Sequence, residues 1–162
     1  MLTIRVAEDR DFEAIWTIFH QVVSGGDAYA FSPDTSIEEA YQLWMKLPRV
    51  TYVATLNEQV VGTYYLKPNQ PGLGSHVCNA GFMVLSTARG KGIGRRLGEH
   101  ALQQAKLQGF KAMQFNFVVS TNQPAVKLWK SLDFTIVGTL PKAFHHQKLG
   151  LVDVYVMYQW LD

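Results

Sequence analysis

The chain has 162 residues, 48% of them apolar and 17% charged, with a formal net charge of +2. That length suits one domain with a real core and leaves little room for two, and the composition is that of an ordinary globular protein rather than a disordered or fibrous one. So small and scattered a charge argues against a nucleic-acid partner, no apolar run approaches the ~20 residues of a membrane span, and the single Cys78 excludes an internal disulfide and fits a reducing, cytoplasmic compartment.

Met1 to Arg10 carries acids and no apolar stretch, so it does not read as a signal peptide. Within it, Leu2-Thr-Ile-Arg-Val6 alternates as a strand does. Glu8-Asp9 opens a helix with apolar Phe12, Ile15, Ile18 or Phe19, and Val22 at helical spacing, and Gly25-Gly26 ends it. Pro33 to Ser36 supplies a turn and cap before a shorter helix, Ile37 to Met45, stopped by Pro48. Val50 to Leu56 and Val60 to Leu66 read as a hairpin around Asn57-Glu58-Gln59. Lys67 to Ser75 is a loop, and His76 to Val84 the next strand. A long helix runs from Ile93 to Gln108 with Gly109 as its stop. Met113 to Val119 is a strand, Pro124 starts a helix ending near Leu132, and Phe134 to Thr139 and Val152 to Trp160 are a last pair of strands. This order, β-α-α-β-β-β-α-β-α-β-β, predicts an α/β (α+β) fold: one mixed, twisted sheet of about seven strands with helices on both faces.

The sharpest local signal is Arg89-Gly90-Lys91-Gly92-Ile93-Gly94-Arg95-Arg96, between a strand and a long helix. Glycines let the backbone approach a ligand, and a helix N-terminus presents unpaired N–H groups with partial positive charge. Together with the basic side chains they predict an anion site. The loop lacks the Gly-Lys-Ser/Thr ending of a Walker loop, and no acid follows at the distance a dinucleotide fold uses.

Arg89-x-x-Gly92-x-Gly94, following Phe82-Met83-Val84, resembles motif A of the GNAT acetyltransferases. Asn122-x-x-Ala125-x-x-Leu128-Trp129-x-x-Leu132-x-Phe134 resembles their motif B. The resemblance runs from about Val50 to Trp160 and implies a single domain over residues 1–162 that uses acetyl-CoA as cosubstrate. It implies that the backbone of Phe82, Met83 and Val84 pairs with the pantetheine arm in a slot where the strands carrying Val84 and Phe117 splay apart. It also implies that Arg89, Gly90, Lys91, Gly92, Ile93, Gly94 and Arg95 hold the pyrophosphate, and that Asn122 bonds the cofactor beyond the slot. Family practice further implies a homodimer, with the C-terminal strands contributing. Within the superfamily, Val61-Gly62-Thr63, Lys67-Pro68-Asn69, Cys78-Asn79-Ala80-Gly81-Phe82, Phe115-Asn116 and Thr121-Asn122-Gln123 resemble the fungal enzymes that acetylate proline analogues such as azetidine-2-carboxylate. The acceptor so implied is a small amine or imino acid. A protein lysine or N-terminal acetyltransferase and a non-catalytic acetyl-CoA sensor are the competing readings.

Acetyl transfer needs a neutral amine, its placement at the carbonyl carbon, and stabilisation of the developing oxyanion. Many GNATs place a glutamate on the central strands. Here Asn79 and Asn116 stand on the two strands that should flank the slot; amides orient an amine, carboxylate or water but cannot act as bases. The resemblance assigns them substrate handling; buried amides tying strands together is the alternative. At the position of the family's thiolate-protonating tyrosine stands Trp129, which has no useful acidity and either packs on the cofactor arm or belongs to the core with Val126. The oxyanion is left to a backbone N–H near Met83 or Val84. Among the histidines, His76 and the loop pair His145-His146 are the near-neutral bases singled out, and no third ligand is spaced to make them a metal site. Tyr29, Phe31, Trp44, Tyr64 and Tyr65 are candidates for an aromatic acceptor pocket, with Arg49 or Lys67 as partner to a substrate carboxylate. Cys78 alternates away from Asn79 and reads as a buried thiol.

Overall fold

The computed structural model describes residues 1–162. Seven strands form one sheet: β1 (Leu2–Val6), β2 (Val50–Leu56), β3 (Gln59–Pro68), β4 (Val77–Val84), β5 (Ala112–Val119), β6 (Thr135–His146) and β7 (Gly150–Trp160). Their spatial order is β1-β2-β3-β4-β5-β7-β6, antiparallel throughout except for β4 against β5. Four helices cover it: α1 (Phe12–Gly25), α2 (Ile37–Tyr41, prolonged by a π-helical turn to Lys46), α3 (Ile93–Leu107) and α4 (Gln123–Ser131).

Alternation along the strands divides the core in two. On one face Val53, Tyr65 and Met83 pack with Ile15, Phe19 and Trp44 from α1 and α2. On the other, Tyr52, Tyr64, Cys78 and Phe115 pack with Leu97 and Ala101 from α3 and Val126 and Trp129 from α4. Trp44 and Tyr64 are fully buried in these layers, so neither lines an acceptor pocket. The Trp44 indole N–H donates to Thr63 Oγ1 at 3.0 Å, which satisfies it inside the core.

The β2–β3 turn has Asn57 and Glu58 at φ 50° and 65°, the left-handed pair that matches strand twist in a two-residue hairpin. At the far edge β6 runs to His146, well beyond the expected Thr139. Pro141 falls in an irregularity between Leu140 and Phe144, and the displaced Lys142 N–H donates to Asp153 Oδ1 at 2.9 Å. An edge strand tolerates proline at such a bulge, so pairing resumes after it. His145 and His146 therefore end a strand rather than lying in a loop. β7, whose two apolar faces suit a dimer contact or an interior strand equally, is interior, between β5 and β6.

The start of α1 is fixed by one ion pair. Arg5 grips Asp11 with Nη1 on Oδ2 at 2.7 Å and Nη2 on Oδ1 at 2.8 Å, and the Glu8 N–H donates to Oδ2 at 2.7 Å. The side-chain bond to Arg5, partly opposed by burial, holds this carboxyl below its usual range. A depressed folded pKa contributes stability above the unfolded value and loses it as pH falls through the folded one. We expect the melting temperature to drop below about pH 4 more steeply in the wild type than in Asp11→Asn, and Asp11→Asn to lose ~1–3 kcal/mol at pH 7, by thermal unfolding across pH.

Candidate functional site

β4 and β5 pair only from Val77 to Asn79 against Ala112 to Gln114, and then diverge. Asn79 lies at the base of this fork. Its Nδ2 donates to the Gln114 carbonyl at 3.0 Å, and its Oδ1 accepts from the Tyr65 hydroxyl at 3.4 Å. The amide thus satisfies the first carbonyl that the divergence would leave unpaired.

Beyond the fork, β4 is held only by β3. The Val77 carbonyl accepts from Asn69 N–H and the Leu85 N–H donates to the Val61 carbonyl. In an antiparallel ladder the bonded residues alternate, so Gly81 and Met83 face β3 while Phe82 and Val84 turn their N–H and C=O toward the open side. Of the two expected oxyanion donors, the Met83 N–H belongs to the ladder and the Val84 N–H faces the open side; the Phe82 N–H and C=O also face away from β3 and pair with the Tyr29 hydroxyl.

Two cavities meet at the fork. The larger, about 770 Å³, is lined by Phe82, Met83 and Val84, by Arg89, Gly90, Gly92, Ile93, Gly94 and Arg95, and across from them by Asn122, Trp129 and His146. Of the expected cradle only Lys91 lies outside the lining. Gly92 caps α3 at φ 76° and supplies no side chain to the first-turn amides, which stay available to a ligand. Arg95 is braced by Glu99 Oε1 at 3.0 Å and Ser131 Oγ at 2.9 Å. Asn122 caps α4, its Oδ1 accepting from Ala125 N–H at 3.4 Å, which leaves its Nδ2 for other partners.

The smaller cavity, about 310 Å³, is mostly apolar, with Tyr29, Phe31, Tyr65 and Phe117 in its wall and Lys67, Asn79, Asn116 and Asn122 as its polar groups. Asn116 reaches it because β5 carries one extra residue relative to β7 between Phe115 and Val118. Its Nδ2 donates to Asn69 Oδ1 at 2.6 Å and its Oδ1 accepts from Gln114 Nε2 at 2.8 Å, an exposed chain of amides at the rim. Lys67 Nζ lies 5.5 Å from the Tyr65 ring centre. Burial pushes the Tyr65 phenol up to about 12, so it stays protonated. The cavities share Ala28, Tyr29, Phe82, Asn122, Ala125 and Trp129. Trp129 belongs to the core, packing on Phe82 and Phe115 with centroids 4.8 and 4.6 Å away, and it also borders both cavities.

Other candidates fall away. Arg49 covers the Phe110 ring at 4.5 Å and lines neither cavity. His76 is exposed at the opposite end of β4 from the fork. His146 does border the larger cavity, but its Nδ1 accepts from the Lys148 and Leu149 N–H groups at 3.0 and 3.2 Å. With Nδ1 engaged in this way, Nε2 is the ring nitrogen left for other partners. Cys78 is fully buried, and burial pushes its thiol up to about 12, which makes it inert at neutral pH. Residue-by-residue reading missed Gln114 and Asn69, because their parts depend on neighbours brought together across the sheet.

The sequence model of the Acetyltransferase (GNAT) family matches residues 10–134. N-acetyltransferase aca1 of Schizosaccharomyces pombe is 43% identical over 104 residues, which make up 62% of this chain and 48% of that protein. The chain thus spans about half the length of that relative. A GCN5-related N-acetyltransferase from Kribbella flavida superposes with a TM-score of 0.94 at 45% identity, over 99% of this chain and 98% of that one. The structure of yncA from Salmonella typhimurium, solved with its cofactor acetyl-CoA, superposes with a TM-score of 0.85 at 26% identity, over 100% of this chain and 95% of that one.

Proposed function

The chain belongs to the GNAT acetyltransferase family, and from that membership we propose that it moves an acetyl group from acetyl-CoA to the nitrogen of a small amine, with a carboxylate-bearing imino or amino acid as the acceptor. The observation that carries this reading is the fork itself, where a basic cradle and a small apolar cavity meet at Phe82. The residues suit the cosubstrate: bare first-turn amides at the start of α3, with Arg89 and Arg95 beside them, match a pyrophosphate. An arm laid along β4 finds the side of Phe82 and Val84 that β3 leaves unpaired.

The Phe82 N–H at the junction would hold the thioester oxygen and take up its negative charge as the nitrogen attacks. Acetyl-CoA supplies the activated carbonyl; the chain aligns the amine. Lys67 pairs with the acceptor's carboxylate, and Asn116 with its neighbours Gln114 and Asn69 orients the nitrogen or a water that carries its proton away. Asn79 keeps the fork open at its base. With an indole at position 129, the leaving thiolate takes its proton from solvent. A cavity of about 310 Å³ favours a small acceptor over a protein side chain on its backbone. We further read the chain as a cytoplasmic homodimer. No helix is long and apolar enough to cross a membrane, and the edge strand β6 exposes Val137 and Leu140 where a second copy would pack.

The test is thiol release from acetyl-CoA with azetidine-2-carboxylate, proline, primary amino acids, a neutral amine and a lysine peptide. We expect turnover with the acids. Lys67→Ala should raise KM for them by about 10- to 100-fold while sparing the neutral amine, as loss of one charge-assisted pair implies. Asn116→Ala should lower kcat. Preference for the peptide would move the assignment to protein acetylation, and binding of acetyl-CoA without turnover would favour a sensor.

A further inference from the structure

Tyr29 lies in the coil between α1 and α2, and its hydroxyl reaches the mouth of the fork. The Oη donates to the Phe82 carbonyl and accepts from the Phe82 N–H, each at 2.7 Å. These are the two backbone groups that β3 leaves unpaired and that β5 has diverged from. One side chain therefore does for Phe82 what a neighbouring strand would otherwise do. The ring is held by Phe31, stacked at 5.8 Å, and by Trp44, edge-on at 6.4 Å. Burial drives the phenol's pKa well above its ordinary value, so the hydroxyl stays protonated and keeps both its donor and its acceptor. Ala28 and Tyr29 border both cavities, which makes this segment the partition between them.

We propose that the Tyr29 hydroxyl is an internal stand-in for the thioester oxygen: it occupies the Phe82 N–H when no acetyl group is bound and yields it when one arrives. This rests on the reading of the larger cavity as the acetyl-CoA site. An N–H already bonded at 2.7 Å has no room for a second acceptor in line, so a carbonyl oxygen there must displace the phenol. Free CoA ends in a thiol with no such oxygen, and it leaves the Tyr29 pair intact. Binding of acetyl-CoA thus costs two hydrogen bonds that binding of CoA does not. The same phenol, returning to Phe82, competes the carbonyl of the acetylated product out of the junction.

Calorimetric titration of the wild type and Tyr29→Phe, each with acetyl-CoA and with CoA, tests this. Removing only the hydroxyl should tighten acetyl-CoA binding about tenfold, the net worth of one to two hydrogen bonds, and change CoA binding by less than about twofold. Backbone hydrogen exchange should show the β4 segment around Phe82 less protected in the free variant, with protection restored by acetyl-CoA in both proteins. Weaker acetyl-CoA binding by the variant would make Tyr29 a contact of the bound cofactor, and an equal shift for both ligands would make it a plain wall residue; either overturns the stand-in. If both proteins bind acetyl-CoA alike, the stand-in fails alone. If neither binds it, the cavity's assignment fails and takes the stand-in with it.

Discussion

Gly94→Asp is expected to weaken acetyl-CoA binding by at least about a hundredfold while leaving the fold intact. Gly94 lies in the first turn of α3 and lines the larger cavity. A Cβ there would meet only Leu128 Cδ2, at 3.4 Å, an ordinary contact, so a small side chain fits. A carboxylate about 5 Å from a pyrophosphate charge costs about 3 kcal/mol at the effective dielectric of a protein surface, and 1.4 kcal/mol is a factor of ten. An acid in the first turn of a helix is otherwise favourable, so thermal stability should hold or rise slightly. Gly94→Ala, which adds bulk without charge, should lose far less affinity. Calorimetry gives the affinities and circular dichroism the fold. Binding within about threefold of wild type would remove the pyrophosphate from this helix and with it the assignment of the cradle.

Trp129→Ala should cost about 3–5 kcal/mol of folding stability, the usual range for emptying a buried tryptophan site. The indole is 8% exposed and packs on three rings, Phe82, Phe115 and Phe134, with centroids 4.8, 4.6 and 5.9 Å away. It also fills the approach of α4 to α3: a Cβ on Gly98 would come within 3.1 Å of Trp129 Cζ3 and 2.7 Å of Leu132 Cδ1. Because α4 carries Asn122 and α3 carries the cradle, loosening this contact should also weaken acetyl-CoA binding. Trp129→Phe, which keeps a ring in the site, should lose clearly less. Urea unfolding measures both. A loss below about 1 kcal/mol would mean that the ring cluster is not a packed unit.

Much of the fold was legible because its signals are local. Phe12, Ile15, Val22 and the stop at Gly25-Gly26 define α1 without reference to anything distant, and Gly26 indeed turns left-handed at φ 66°. The cradle from Arg89 to Arg95 was legible for the same reason, since a glycine-rich turn and the helix it feeds are adjacent in the chain. The length of β6 was not, because Pro141 is a stop in an interior strand and tolerable on an edge, and edge position belongs to the sheet.

The site divides in the same way. The sequence by itself determined the family, the strand–cradle–helix order, and the placing of Asn79 and Asn116 on the two strands that diverge. Only the tertiary structure decided what those amides do. The fork gives Asn79 the Gln114 carbonyl to hold, and Asn116, beside the bulge in β5, lines the rim of the smaller cavity. It also decided which backbone groups of β4 turn away from β3, those of Phe82 and Val84 rather than Met83, and it brought Tyr29 to Phe82 across 53 positions of chain. Helix periodicity and turn chemistry act over a few residues and are written in the sequence. A hydrogen bond between a coil hydroxyl and a strand amide depends on how two layers pack, and no local pattern encodes it.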